Sequence, residues 1–103
     1  MLIILTKSPW AQGHVSILEI ARKAAKSGER VAVLHVQDAC TAATINEYCD
    51  KLANNRIDIY ALKADCEARG LVGKVSPKVK LIDYRQWTKL VMAEHSKIVS
   101  WTS

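Results

Sequence analysis

Three cysteines are the side chains in this sequence that are best suited to chemistry. Cys40, Cys49 and Cys66 are separated by nine and seventeen residues, which is the spacing of neither a Cys-x-x-Cys redox motif nor a zinc site. An odd number of cysteines also argues against a disulfide framework. We therefore expect free thiols in a reducing compartment, where a thiolate can act as a nucleophile or carry sulfur.

Two of the cysteines are candidates for a sulfur-carrying site. Cys40 follows Asp38, which can cap a predicted second helix, so the thiol would lie in the first helical turn. The helix dipole and unpaired backbone amides favour a thiolate there. The alternative is a small side chain packed under the strand-to-helix turn. Cys66 also lies at a predicted helix start, but the charges of Asp65 and Glu67 oppose ionisation, which makes it the weaker candidate.

The other polar side chains do not form a catalytic set. Cys49 lies on the apolar stripe of its predicted helix and is expected in the core. His35 lies inside a predicted strand, where a histidine is more often a hydrogen-bonded structural residue than a base. His14 has no identifiable partner, and Ser8 lacks a glycine-rich elbow. We expect no metal, no cofactor and no self-sufficient enzyme site.

Short apolar runs, rich in β-branched residues, predict five strands. Their predicted bounds are Leu2–Leu5, Val31–Val36, Ile57–Leu62, Val79–Asp83 and Ile98–Trp101. The segment from Thr6 to Trp10 is predicted as a loop, because Pro9 disfavours a helical conformation at the residue before it.

Apolar residues at three- and four-residue steps predict the helices between these strands. The first helix ends at Gly28, the second is capped by Asp38, and a short third has Asp65 at its cap position and ends at Gly70. The second helix closes at residues 54–56, and a last helix lies near Arg85 to Ala93. The side chains expected to face the core from these helices are Val15, Leu18, Ala21, Ala25, Ala42, Ile45, Cys49, Leu52, Trp87, Leu90 and Val91.

This alternation of strands and helices predicts one α/β domain over residues 1–103, with a parallel sheet covered on both faces. Function in such a fold gathers where the strands end at their carboxyl termini. Those ends are Thr6–Trp10, Gln37–Thr41, Lys63–Cys66 and Asp83–Tyr84. Two of the three cysteines fall in this set.

Charge and hydropathy limit the functional classes. The formal net charge is +5, and no apolar run is long enough to span a membrane. The apolar start of the chain is too short for a signal peptide, so a cytoplasmic location is expected. Two basic clusters lack interleaved aromatic residues, which favours a solvated basic face over a tRNA-contacting module. These clusters are Lys74, Lys78, Lys80 and Arg22, Lys23, Lys26.

Short motifs in a fixed order over essentially the whole chain point to a family. They are Leu5–Trp10, Gln37–Asp38 followed by Ala42–Ala43, Tyr60–Leu62 through Gly70–Leu71, Ile82–Tyr84 and Ser100–Trp101. In these motifs the chain resembles the TusB/DsrH family of sulfur-relay subunits. The resemblance implies a DsrEFH-like three-layer α/β/α domain with a five-stranded, mostly parallel sheet in the order 4-3-2-1-5.

The resemblance also implies partners and a pathway. TusC/DsrF-like and TusD/DsrE-like subunits would join this chain in a hetero-oligomer, or a homo-oligomer would form where they are absent. Such a complex passes persulfide sulfur toward 2-thiolation of the tRNA wobble uridine, and its association with the tRNA machinery is indirect. The chain would be a non-catalytic subunit that shapes a partner's cysteine site. The alternatives are a DsrH-type subunit of dissimilatory sulfur oxidation, or a stand-alone sulfur carrier that uses Cys40.

Two departures from the family pattern refine this interpretation. Ala39 follows Asp38 where the family usually has glycine, which predicts a turn without positive φ at that position. DsrH-type subunits can carry a cysteine in the first helix, whereas this chain has none between Trp10 and Gly28. The resemblance therefore favours the TusB type, in which the principal sulfur-carrying cysteine belongs to the TusD-like partner and Cys40 is a substitute candidate.

Overall fold

Five strands and the helices between them form the described chain, which comprises residues 1–7, 14–94 and 97–101 of the computed structural model. The strands are β1 (Leu2–Leu5), β2 (Ala32–His35), β3 (Asp58–Leu62), β4 (Lys80–Ile82) and β5 (Ile98–Trp101). The α-helices are α1 (His14–Lys26), α2 (Asn46–Asn54), α3 (Lys63–Ala68) and α4 (Tyr84–Lys89). A 3₁₀ segment (Gln37–Thr44), a 3₁₀ turn (Val72–Lys74) and a π-helical turn (Leu90–Glu94) complete the described helical structure.

All four strand pairings in the sheet are parallel, in the order β4-β3-β2-β1-β5. Every residue of β1 and β2 is buried, as expected for central strands with helices on both faces. The predicted α/β class, the five-stranded parallel sheet and the strand order are confirmed. The predicted strands match the observed ones to within one residue at each end.

Two apolar clusters lie on opposite faces of the sheet. One includes Ile3, Leu5 and Val33 and packs against α1 and α2. The other includes Leu2, Leu34 and Leu62 from the strands, and Trp87, Leu90 and Val91 of the last helical region pack there. Leu90 is buried, whereas Trp87 and Val91 are partly buried. The sheet therefore carries most of its helical cover on one face and α4 with the π-helical turn on the other.

The helix ends follow the sequence signals in part. Gly28, just after α1, has φ of +91°, and Gly70, just after α3, has φ of +66°, so both positions need the conformational freedom of glycine. Asp83 accepts a hydrogen bond from the Gln86 backbone N–H at 2.8 Å, and the Gln86 side chain accepts one from the Asp83 N–H at 3.0 Å. This reciprocal cap fixes the start of α4 at Tyr84.

Two predicted helix caps are wrong. Asp38 lies inside the 3₁₀ segment, whose N-cap is Val36, and its carboxylate contacts Arg69 at 3.3 Å instead of capping α2. Asp65 lies in the first turn of α3, and its carboxylate accepts a hydrogen bond from the Gln37 backbone N–H at 2.7 Å. Contacts between distant segments therefore replace the local caps that the sequence predicted.

The turn after β2 has an unpredicted backbone conformation. Ala39 is not among the described residues with positive φ, as predicted, but Gln37 has φ of +51°. This is the left-handed region, which is costly for a residue that has a side chain. The predicted loop at Thr6–Trp10 lies outside the described residues from Ser8 onward.

Candidate functional site

Cys40 and Cys66 meet beside the carboxyl ends of β2 and β3. Both side chains are fully buried and share a cluster with Ala43 and Ala61. The two thiols influence each other electrostatically, since Cys66 adds to the effect of burial in raising the pKa of Cys40, and the Cys40 Sγ donates to the His35 carbonyl oxygen at 3.5 Å. The two candidate cysteines of the sequence therefore form one site, which we call the thiol pair.

Burial makes the thiol pair hard to ionise. It is the largest cause that raises the pKa of the Cys40 thiol, and the neighbouring Cys66 and the Asp65 carboxylate add to it. Burial likewise raises the pKa of the Cys66 thiol, with a further contribution from the Asp65 charge. The predicted position of Cys40 in the first turn of the second α-helix is wrong, because Cys40 is a buried residue of the 3₁₀ segment that precedes α2. Sulfur carriage by either cysteine stays a prediction.

Two polar contacts join the same two segments that carry the thiol pair. Asp38 of the 3₁₀ segment contacts Arg69, just after α3, at 3.3 Å. The Gln37 backbone N–H donates to Asp65 of α3 at 2.7 Å. We call these four residues the polar clamp. The left-handed Gln37 directs its N–H to Asp65, so the strained backbone position is part of the clamp.

His35 is a structural residue, as predicted. Its side chain is fully buried, its Nδ1 lies 2.9 Å from the Tyr60 carbonyl oxygen, and its Nε2 lies 2.7 Å from the Tyr48 hydroxyl oxygen. A carbonyl oxygen only accepts, so Nδ1 carries the proton and the Tyr48 hydroxyl donates to Nε2. Burial raises the pKa of Tyr48, which keeps that donor protonated. Both ring nitrogens therefore take part in hydrogen bonds inside the protein, and this arrangement fits a structural residue and not a catalytic base.

The third thiol lies apart from the thiol pair. Cys49 is fully buried in the cluster beneath α1 and α2, which confirms its predicted place in the core. Its Sγ donates weakly to the carbonyl oxygens of Ala42 and Ala43, at 3.6 and 3.7 Å. Of the remaining sequence candidates, His14 is the first residue of α1, and Ser8 lies outside the described residues.

Within the described ranges, no three or more histidine, cysteine or acidic side chains are grouped so that they could hold a metal ion. In the same part of the chain, no helix is long and apolar enough to cross a membrane.

Two surface features were not predicted from the sequence. Two open cavities of about 520 and 220 Å³ share Tyr60 and Lys80 as lining residues, beside the edge strand β4. The exposed Lys80 therefore has an aromatic neighbour, which the linear sequence did not show. Lys78 pairs with Asp50 at 3.1 Å. The preference for a solvated basic face over a tRNA-contacting module stays a prediction.

The second feature is an exposed apolar surface on the last helical region. Tyr84 is 60% exposed and Met92 is 80% exposed. The ring of Tyr84 stacks on that of Trp87, with centroids 6.1 Å apart and an interplanar angle of 19°. We call Tyr84, Trp87 and Met92 the α4 surface. The sequence signal for it was present, since Tyr84 and Met92 fall outside the apolar stripe of Trp87, Leu90 and Val91.

A family model and full-length relatives of known name both show similarity to this chain. A family model described as "DsrH like protein" matches residues 7–97. The Protein TusB of an Escherichia coli strain is 36% identical over 100 residues, which cover 96% of this chain and 99% of that protein. The Protein TusB of Shigella dysenteriae serotype 1 is 35% identical over 102 residues, which cover 98% of this chain and all of that protein.

Two solved structures share the fold. The ychN protein from Escherichia coli superposes with a TM-score of 0.72 at 14% identity, covering 97% of each chain. The conserved protein of unknown function BT1422 from Bacteroides thetaiotaomicron gives a TM-score of 0.78 at 15% identity, covering 97% of this chain and 93% of that one. At such identities the likeness is one of fold alone.

Proposed function

The chain belongs to the DsrH-like protein family, and on this premise we propose that it is a subunit of a sulfur-relay complex. The complex passes persulfide sulfur toward 2-thiolation of the tRNA wobble uridine. Full-length relatives at 35–36% identity are TusB proteins, which favours this pathway over dissimilatory sulfur oxidation. The complex works in the cytoplasm and associates with the tRNA machinery indirectly.

The role of this subunit is structural, and one observation carries that proposal. All three of its thiols are fully buried, and burial raises their pKa values. A sulfur carrier must present a thiolate to a donor and then to an acceptor. The buried thiols of this chain do not lie at a surface where a donor protein and an acceptor protein could reach them, so the carrying cysteine belongs to a partner subunit. A stand-alone carrier that uses Cys40 would have to expose this thiol.

The partners are related α/β subunits of the TusC/DsrF-like and TusD/DsrE-like types, and the α4 surface is where one of them docks. The sheet face beneath α4 has the thinner helical cover, and Tyr84 and Met92 are exposed on the helical region that provides this cover. Exposed apolar patches on small proteins mark interaction surfaces. A subunit of the same fold offers a helical layer that would extend the cover of this face.

Co-expression with the two related proteins of the same organism tests the assembly. We expect a tagged copy of this chain to purify in a stoichiometric hetero-oligomer, measured by native mass spectrometry. We also expect loss of the chain from cells to lower 2-thiolation of the wobble uridine, measured by mercury-retarded electrophoresis of tRNA. A chain that purifies without its relatives, and whose loss leaves thiolation unchanged, would contradict the proposal.

A further inference from the structure

We propose that Cys40 and Cys66 are a reversible oxidation site, at which a two-electron oxidant closes an intramolecular disulfide. The oxidant is hydrogen peroxide or a hydropersulfide. This inference does not rest on the proposed function, because hydrogen peroxide alone suffices for the reaction. It also differs from sulfur carriage, since the oxidised product holds no transferable sulfur.

The geometry of the thiol pair carries the inference. Cys40 lies in the 3₁₀ segment and Cys66 in α3, twenty-six residues apart in sequence, yet both side chains are fully buried in one small cluster with Ala43 and Ala61. Two cysteine side chains enclosed in so small a cluster need only a limited adjustment to bring their sulfur atoms to bonding distance. The enclosing apolar side chains also keep any other thiol away, which favours the intramolecular product.

Cys49 is the built-in control for this reaction. It is as fully buried as the thiol pair, but it lies in a different cluster and its Sγ contacts the carbonyl oxygens of Ala42 and Ala43. Burial is therefore common to the three thiols, whereas a neighbouring thiol is found at Cys40 and Cys66. A difference in behaviour between Cys49 and the pair isolates the effect of proximity.

The polar clamp governs access to the pair. Its two contacts, Asp38 with Arg69 and Gln37 with Asp65, are both at the exposed surface. Water competes for exposed polar contacts, so each is weak in free energy. Gln37 is also held in the left-handed region, and this strain is relieved when the clamp opens. Opening frees the 3₁₀ segment from α3 and lets water and oxidant reach the thiols.

The reaction balances with either oxidant. Two thiols and one hydrogen peroxide give one disulfide and two waters. With a hydropersulfide R–S–SH, one thiolate attacks the outer sulfur, the S–S bond of the reagent breaks, and R–S⁻ leaves and takes up a proton. The second thiolate then attacks the inner sulfur of the new protein persulfide and expels HS⁻, which is protonated to H₂S. The two thiols lose two electrons, and the sulfane sulfur is reduced to sulfide.

The thiol pair discharges a persulfide that forms within it. A persulfide formed on Cys40 or Cys66 faces the thiol of the other residue, which discharges it as sulfide. The pair therefore removes sulfane sulfur instead of storing it. In this respect it differs from a carrier cysteine, which must hold its persulfide until the acceptor arrives.

Peptide mapping of the full-length chain tests the site. After hydrogen peroxide treatment, denaturation and alkylation, we expect a disulfide-linked peptide pair that contains Cys40 and Cys66, an alkylated Cys49, and reversal by dithiothreitol. With glutathione hydropersulfide we expect the same linkage and about one equivalent of sulfide per chain. Alkylation of all three cysteines after oxidation, a linkage through Cys49, or a persulfide that persists on Cys40 would overturn the proposal.

Single-residue variants distinguish the effect of the neighbouring thiol from the effect of oxidant access to the thiol pair. Cys49→Ser is expected to leave the linkage intact, whereas Cys40→Ser and Cys66→Ser should leave two alkylatable thiols after oxidation. Asp38→Asn, which removes the charge from one clamp contact, should speed disulfide formation several-fold while the far-ultraviolet circular dichroism spectrum stays unchanged. An unchanged oxidation rate in Asp38→Asn would overturn the role of the clamp. The wild-type peptide map decides the linkage even where a serine variant fails to fold.

Discussion

Replacing Met92 by glutamate is expected to weaken assembly with the partner subunit by at least ~100-fold. Met92 is 80% exposed in the chain alone. In the proposed complex it lies in the interface between the α4 surface and the partner subunit. An unpaired carboxylate buried there costs several kcal/mol, and each ~1.4 kcal/mol is a factor of ten in affinity. Because the side chain is exposed before assembly, the melting temperature of the isolated chain should change little.

Two further variants make this prediction specific. Tyr84→Glu changes a second residue of the α4 surface and is expected to weaken assembly in the same direction. Val72→Glu is the matched control, since Val72 is also an exposed apolar residue but lies in the 3₁₀ turn that follows α3. Affinities from native mass spectrometry or calorimetry give the comparison. Equal binding by Met92→Glu and wild type, or equal losses in Val72→Glu and Met92→Glu, would place the interface elsewhere.

The free energy of unfolding is expected to fall steeply as the pH rises above about 8.5, the ordinary thiol pKa. Burial raises the pKa values of Cys40, Cys49 and Cys66 in the folded chain, so the unfolded chain loses these protons first. The stabilisation is therefore fully present below the unfolded pKa and is lost as the pH rises toward the folded values. Each such thiol contributes a slope of about 1.4 kcal/mol per pH unit.

The three thiols act in the same direction, so the loss of stability adds up and is measurable beside a typical total stability of about 5–15 kcal/mol. Urea denaturation at a series of pH values from neutral to mildly alkaline measures the slope. Cys49→Ala should reduce the slope, since one titrating group is removed. Denaturation midpoints that stay constant across this range, or a slope that Cys49→Ala leaves unchanged, would show that the thiols ionise freely in the folded chain.

The strands were predictable because their signal is local. β1 is a continuous apolar run, β2 is apolar except for His35, and both are fully buried; such runs have few other stable arrangements in a chain of this size. The core positions of Cys49 and Leu90 followed from helical spacing in the same way. His35 was also predictable as a structural residue, although its partners Tyr48 and Tyr60 were not, because they come from other elements.

The candidate site was only half predictable, because long-range contacts decide its details. Asp38 has the residue type of a helix cap, but it contacts Arg69, thirty-one positions later, across the sheet end. Nothing in the local sequence indicates that Gln37 adopts positive φ. In this conformation its backbone N–H donates a hydrogen bond to the Asp65 carboxylate. Strand topology placed Cys40 and Cys66 at neighbouring strand ends, but their burial in one cluster depends on the registers of β2 and β3 and on the packing of the 3₁₀ segment.

The most direct test of the central claim is tRNA 2-thiolation in cells whose only copy of this chain carries Cys40→Ala. The claim is that this subunit supports a partner's cysteine and does not itself carry sulfur. It predicts a wild-type fraction of 2-thiolated wobble uridine, with the hetero-oligomer intact by native mass spectrometry. Thiolation reduced to the level of cells that lack the chain, in a complex that still assembles, would contradict the claim and establish Cys40 as a sulfur carrier.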